Sequence, residues 1–147
     1  MSVSDYNQLL SIDYITGMLS LKSYEDVQRA FIKAKTKLSE ILSAFEFWDS
    51  TANQMVHSHL TNLRNPLGDD AKPAPFYVLV ETQGSNEDHD TEKLEGFIED
   101  LFNEDVIENG ALAQDTTQIA SMWNIREGIP EACSKSGAVF KFDVRYA

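Results

Sequence analysis

FYVLVET (residues 76–82) decides the fold, because its β-branched and aromatic side chains run almost without a polar interruption. Such near-continuous apolarity predicts a central strand buried on both faces, rather than an edge strand with one wet side. The preceding stretch, RNPLGDDAKPAP (64–75), holds three of the four prolines and reads as a loop. Further upstream, Asp49 or Ser50 can cap a helix to about residue 63, with Met55, Val56, Leu60 and Leu63 on one stripe. Before it, ILSAFEF (41–47) is too short for a helix of its own and is read as a buried strand.

Ser23 and Asp26 have capping-box spacing, with Asp in the usual place of Glu. Val27, Ala30, Phe31, Ala34 and Leu38 then recur at three and four residues, predicting a helix over 24–38. Residues 1–20 show no clear period and read as a leader, so the domain is expected to occupy 21–147.

Downstream of the strand, GSNEDHD (84–90) reads as a turn into a helix over about 90–104, with Leu94, Phe97, Ile98, Leu101 and Phe102 on its core stripe. Asn109-Gly110, between two short runs in 106–114, predicts a tight hairpin. A last helix is capped near Asp115 or Thr116 and runs to about Ser136, with Gly137 as terminator and a kink or break expected at Pro130. AVFKFDV (138–144) alternates, setting Val139, Lys141 and Asp143 opposite Phe140, Phe142 and Val144, and is read as the final strand. Alternating strands and helices predict an α+β or α/β domain.

The 147 residues suffice for about one domain, and a formal net charge of −12 argues against phosphate backbones and anionic membranes as partners. Much of that charge lies in 81–110, where eleven acidic residues face Lys93 alone. A solvated helix face is the ordinary explanation. Asn86, Asp88 and Asp90 mimic the start of a calcium loop, but Thr91 and Phe97 stand where its glycine and final glutamate belong. Cys133 is the only cysteine, so neither an intrachain disulfide nor a thiolate cage can form. IDYITGMLSL (12–21) is far shorter than the ~20 apolar residues that span a bilayer. Asp5 and Asp13 precede the first basic residue, Lys22, which does not suit a mitochondrial presequence or a secretory signal.

Arg126 lies among Met122, Trp123, Ile125 and Ile129, and Lys141 among aromatic and β-branched residues. Cations set among core-forming side chains are costly unless they are paired or presented to an anion. A guanidinium grips a carboxylate in bidentate fashion and an ammonium adds a point charge, so the two suit a small organic acid. The plainer alternative pairs Arg126 with Glu127, Glu131 or another acidic side chain. His57 and His59 project about 200° apart on a helix and cannot chelate one metal. No GxGxxG, GxxxxGK[ST] or GxSxG arrangement occurs.

Three blocks carry a resemblance: KLSEILSAFEFWD (37–49), PFYVLVETQGSNEDHDTEKLEGFIEDLF (75–102) and WNIREGIPEACSKSGAVFKFD (123–143). Together they resemble the C-terminal, substrate-side domain of the FAD-linked oxidases related to vanillyl-alcohol oxidase and bacterial D-lactate dehydrogenases, closest to the branch that oxidises D-2-hydroxyglutarate. The similarity spans about 21–143. It implies a ferredoxin-like sheet covered by helices, and oxidation of a D-2-hydroxyacid to the 2-oxoacid with hydride passing to FAD. It also implies that Arg126 and Lys141 bind substrate carboxylates. A threonine of the same helix contributes in the hydroxyglutarate branch, and its place here is taken by Pro130, which has no hydroxyl.

The resemblance further implies an FAD domain as partner, a divalent metal, zinc foremost, and a mitochondrial setting, although a cytoplasmic one stays open. The segments that would hold flavin and metal have no counterpart in these 147 residues. The expectation is therefore part of a larger enzyme, inactive alone. The competing reading is a stand-alone acidic α+β interaction module.

Overall fold

The computed structural model describes residues 13–142 and 144. Its elements in chain order are β1 (Asp13–Leu21), α1 (Tyr24–Lys37), β2 (Leu42–Asp49), α2 (Ser50–His59), β3 (Phe76–Gly84), α3 (Glu87–Asn103), β4 (Asn109–Leu112) and α4 (Thr116–Ser136). The four strands make one antiparallel sheet in the order β2-β3-β1-β4, so β1 and β3 are interior and β2 and β4 are edges. This is the expected α+β architecture, with the strand order of a ferredoxin-like sheet.

Both faces of the sheet are covered, which explains the unbroken apolarity of its interior strands. Val78 and Val80 of β3, with Ile15, Leu19 and Leu21 of β1, pack under α1 and α3 against Val27, Ala30, Leu94, Phe97 and Leu101. Tyr77 and Leu79 alternate to the other face, where Met18 and Trp48 join Val56 of α2 and Met122, Ile125 and Ala132 of α4. Burying one such aliphatic or aromatic side chain contributes about 1.5–3 kcal/mol, so β3 is stabilised from both sides.

Side-chain caps set where the helices begin. Ser23 Oγ accepts from the Asp26 amide at 3.1 Å and donates to Asp26 Oδ2, so the box closes between side chains. Asp49, Asn86 and Asp115 accept from the amides of Ala52, His89 and Gln118.

Several expectations need correction. Residues 13–20, read as leader, belong to β1, which pairs with β3 on one side and β4 on the other. Its period of two is masked because both faces are buried, with Met18 standing between the polar Thr16 and Ser20 on one face and Gly17 between Ile15 and Leu19 on the other. A β-carbon at Gly17 would press on Leu112 at 3.1 Å. Residues 1–12 of that reading lie outside the described residues.

No hairpin forms at Asn109-Gly110. Both residues sit within β4, paired with Ser20 and Leu19. The turn after α3 falls instead at Asp105, whose φ is 57°, while Val106 and Ile107 enter the core. Gly110 is there for close approach, since a β-carbon would meet Leu19 at 3.1 Å and Ile98 at 3.3 Å.

α2 stops at His59 rather than near 63, with Asn62 at a φ of 67° just beyond. α4 is assigned as one helix through Pro130 and ends at Gly137, whose φ of 152° suits glycine alone. The expected final strand is not in the sheet. Residues 138–142 have no regular structure and pair with no strand of the sheet; Phe140 and Phe142 are 86% and 83% exposed. Asp143 lies outside the described residues.

Candidate functional site

α4 crosses the sheet face that carries Met18, Trp48 and Leu79, and its polar anchors are two carboxylates on neighbouring strands. Glu81 of β3 is almost fully buried. Its Oε2 accepts from Thr16 Oγ1 at 2.8 Å and from Trp123 Nε1 at 2.7 Å. Ser43 adds a hydroxyl, 3.2 Å from the Glu81 carbonyl and 3.4 Å from Oε1. The register of β2 against β3 slips between Leu42 and Ala44, and this bulge directs Ser43 toward Glu81. A buried carboxylate is tolerable when donors converge on it in this way.

One turn beyond Trp123, Arg126 donates from Nε to Glu46 Oε2 at 3.2 Å, with side chains 34% and 39% exposed. The plainer expectation, an acidic partner, therefore holds, but the partner comes from β2. Glu131 pairs with Lys135 instead. Among the described residues only Nε of the guanidinium has a hydrogen-bond partner, so both terminal nitrogens remain for a ligand. An Nη1–Nη2 edge of this kind can take a carboxylate in bidentate fashion.

Lys141 is not brought beside Arg126. It is exposed in the irregular stretch after Gly137, and no hydrogen bond or ion pair joins it to another described residue. The strand that would have aimed it is missing.

Sequence reasoning overlooked the Glu81 cluster. Its signal was present: Glu81 is the first acidic residue after a run of five apolar ones on a strand buried on both faces. A second buried carboxylate, Asp90 on α3, packs against Gly84 and meets His89 Nδ1 at 3.0 Å, while its Oδ2 has no partner among the described residues.

The described residues do not fit a metal site, since no group of three or more His, Cys, Asp or Glu is arranged to hold one. Burial lowers the pKa of His57, and His59 Nε2 lies 2.8 Å from Ser136 Oγ. Nor do the close-packed glycines fit a flavin pyrophosphate. The β-carbon positions of Gly17, Gly84, Gly110 and Gly128 are already filled by Leu112, Asp90, Leu19 and Leu60, so these glycines serve packing rather than a phosphate cradle. No helix among the described residues is long and apolar enough to cross a membrane.

Residues 14–146 match the family described as FAD linked oxidases, C-terminal domain. Over 128 residues the chain is 44% identical to D-2-hydroxyglutarate dehydrogenase, mitochondrial, of Arabidopsis thaliana, covering 87% of this chain and 22% of that protein. It is 46% identical to the putative D-lactate dehydrogenase, mitochondrial, of Schizosaccharomyces pombe, covering 87% and 24%. Against the Rattus norvegicus D-2-hydroxyglutarate dehydrogenase, mitochondrial, the identity is 42%, covering 87% and 23%. The chain thus spans under a quarter of the length of these curated relatives.

Proposed function

The chain belongs to the FAD linked oxidases, C-terminal domain family, and from that premise we propose that it is the substrate-holding part of an FAD-dependent D-2-hydroxyacid dehydrogenase, with D-2-hydroxyglutarate the favoured substrate. The observation that carries this reading is Arg126: a half-exposed guanidinium held through Nε by Glu46, its terminal nitrogens left for a carboxylate. In this role Arg126 binds and orients one carboxylate of the acid, and Lys141 supplies a second positive charge. Pro130 offers no hydroxyl to the substrate.

FAD, when bound to the whole enzyme, supplies the electron acceptor. It and a divalent metal, zinc being the candidate, are held by segments outside the described residues. The whole enzyme is proposed to be mitochondrial, as the three relatives are named.

The test joins this chain to the flavin-bearing and remaining C-terminal portions of the Arabidopsis relative and follows dye reduction with D-2-hydroxyglutarate. Loss of a charge-assisted contact costs about 1.5–3 kcal/mol. Arg126→Ala should therefore lower kcat/KM by about 10- to 150-fold. Unchanged kcat/KM in that variant rules out the role given to Arg126.

A further inference from the structure

We propose that Glu81 and Trp123 are positioning residues for the Arg126 guanidinium: their buried hydrogen bond sets the turn of α4 about its own axis, and so aims Arg126. The inference rests on the reading above, in which Arg126 receives a substrate carboxylate.

A two-point attachment is built into the spacing. Trp123 and Arg126 are three residues apart on α4, so they leave the same side of the helix with β-carbons about 5–6 Å apart. Their acceptors lie on adjacent strands. Ala44 is the cross-strand partner of Glu81, which makes Glu46 its diagonal neighbour, a relation that sets residues about 7–8 Å apart. Indole and guanidinium reach the two carboxylates at 2.7 and 3.2 Å. Among the described residues these are the hydrogen bonds that join α4 to the sheet. One alone would let the helix pivot, whereas two fix its turn and its slide.

Apolar packing does not supply that direction. α4 buries Met122, Ile125, Gly128 and Ala132, and Gly128 lets it close on α2, since a β-carbon there would overlap Leu60. Burial of this kind is non-directional, whereas a hydrogen bond weakens steeply as its angle opens.

Stability does not account for the cluster either. Glu81 is a buried carboxylate met by three neutral donors, Thr16, Ser43 and Trp123. Well-packed apolar residues in place of buried charges are often neutral or stabilising, so what the carboxylate contributes here is a defined geometry. The bulge at Ser43 serves the same end. It keeps Leu42 with Phe45 in the core under α1 and α3 while Glu46 turns toward α4, and it gives the Ser43 hydroxyl to Glu81.

Two variants separate direction from stability. Thr16→Val/Glu81→Leu/Trp123→Phe removes the buried donors and their acceptor together, so no buried polar group is orphaned. Glu81→Gln keeps an oxygen that can accept from both Thr16 and Trp123. In the 147-residue chain without any hydroxyacid, the Arg126 Nε–H should exchange with water about tenfold faster in the triple variant, while backbone amides of β1 and β3 keep their protection. Glu81→Gln should exchange as wild type does. Trp123→Phe alone, which keeps the ring's packing, should shift the exchange in the same direction by less. In the chain joined to the flavin-bearing and remaining C-terminal portions of the Arabidopsis relative, the triple variant should lower kcat/KM for D-2-hydroxyglutarate by about 10- to 100-fold, the scale of a small misplacement. Glu81→Gln should stay near wild type. In an Arg126→Ala background the triple change should cost nothing more, because no guanidinium is left to aim. The exchange measurement involves no substrate, so its failure is distinct from failure of the substrate reading, which Arg126→Ala alone decides. Unaltered Arg126 exchange in the triple variant, a loss of kcat/KM in Glu81→Gln as large as in the triple variant, or the same loss repeated in the Arg126→Ala background, would each overturn the proposal.

Discussion

Trp123 Nε1 donates to Glu81 Oε2 at 2.7 Å, and this bond ties α4 to the interior strand β3 one turn before Arg126. The indole therefore helps decide where the guanidinium sits, although it has no charge of its own. Trp123→Phe keeps the ring's packing and removes the donor. Thr16 and Ser43 still serve Glu81, so the loss should lie near the lower end of the about 1–3 kcal/mol that follows removal of one partner from a buried acceptor. Urea unfolding should show a lower midpoint with an unchanged slope; a midpoint equal to wild type would mean the bond contributes nothing.

Glu46 and Arg126 are each more than a third exposed, and this limits what their pair adds to stability. Solvent-screened pairs contribute about 0–1 kcal/mol, so Glu46→Gln should move the unfolding free energy by less than that. In the completed enzyme the same change should act on substrate, because the amide oxygen can still accept from Nε while the competing negative charge is gone. A lower KM with little change in stability is expected from parallel kinetics and urea titration. A loss of stability of several kcal/mol would show the pair to be structural instead.

What could be read from the sequence followed how locally each element is determined. Helix α1 was legible because Ser23, Asp26 and the stripe from Val27 to Leu38 lie within one short span. β3 was legible because burial on both faces writes itself into a run such as FYVLVET. β1 was not, since its identity depends on β3 and β4, far along the chain, and its own composition resembles a loose apolar leader. Asn109-Gly110 misled for the opposite reason: a strong local turn signal was overridden by the need for a small residue where Leu19 and Ile98 close on the strand. At the site, Arg126 could be singled out as a cation among apolar neighbours. Its partner Glu46 could not, because pairing across elements leaves no spacing to read.

Gly84 and Gly96 should respond in opposite directions to the same substitution. A β-carbon at Gly84 would overlap the Asp90 carboxylate, which is itself buried and packed between α3 and the end of β3. Gly96, inside α3, has open space around its β-carbon position and an ordinary helical backbone. Gly96→Ala should stabilise by about 0.5–1 kcal/mol through helix propensity and reduced chain entropy. Gly84→Ala should destabilise by about 1–3 kcal/mol, the range for forcing extra volume into a packed site. Adding Asp90→Ala to Gly84→Ala removes the obstructing carboxylate, so the double variant should be more stable than the sum of the single effects allows. Thermal unfolding of the four variants checks all three statements. Strict additivity at 84 and 90 would show that the two residues do not share the space between α3 and the end of β3.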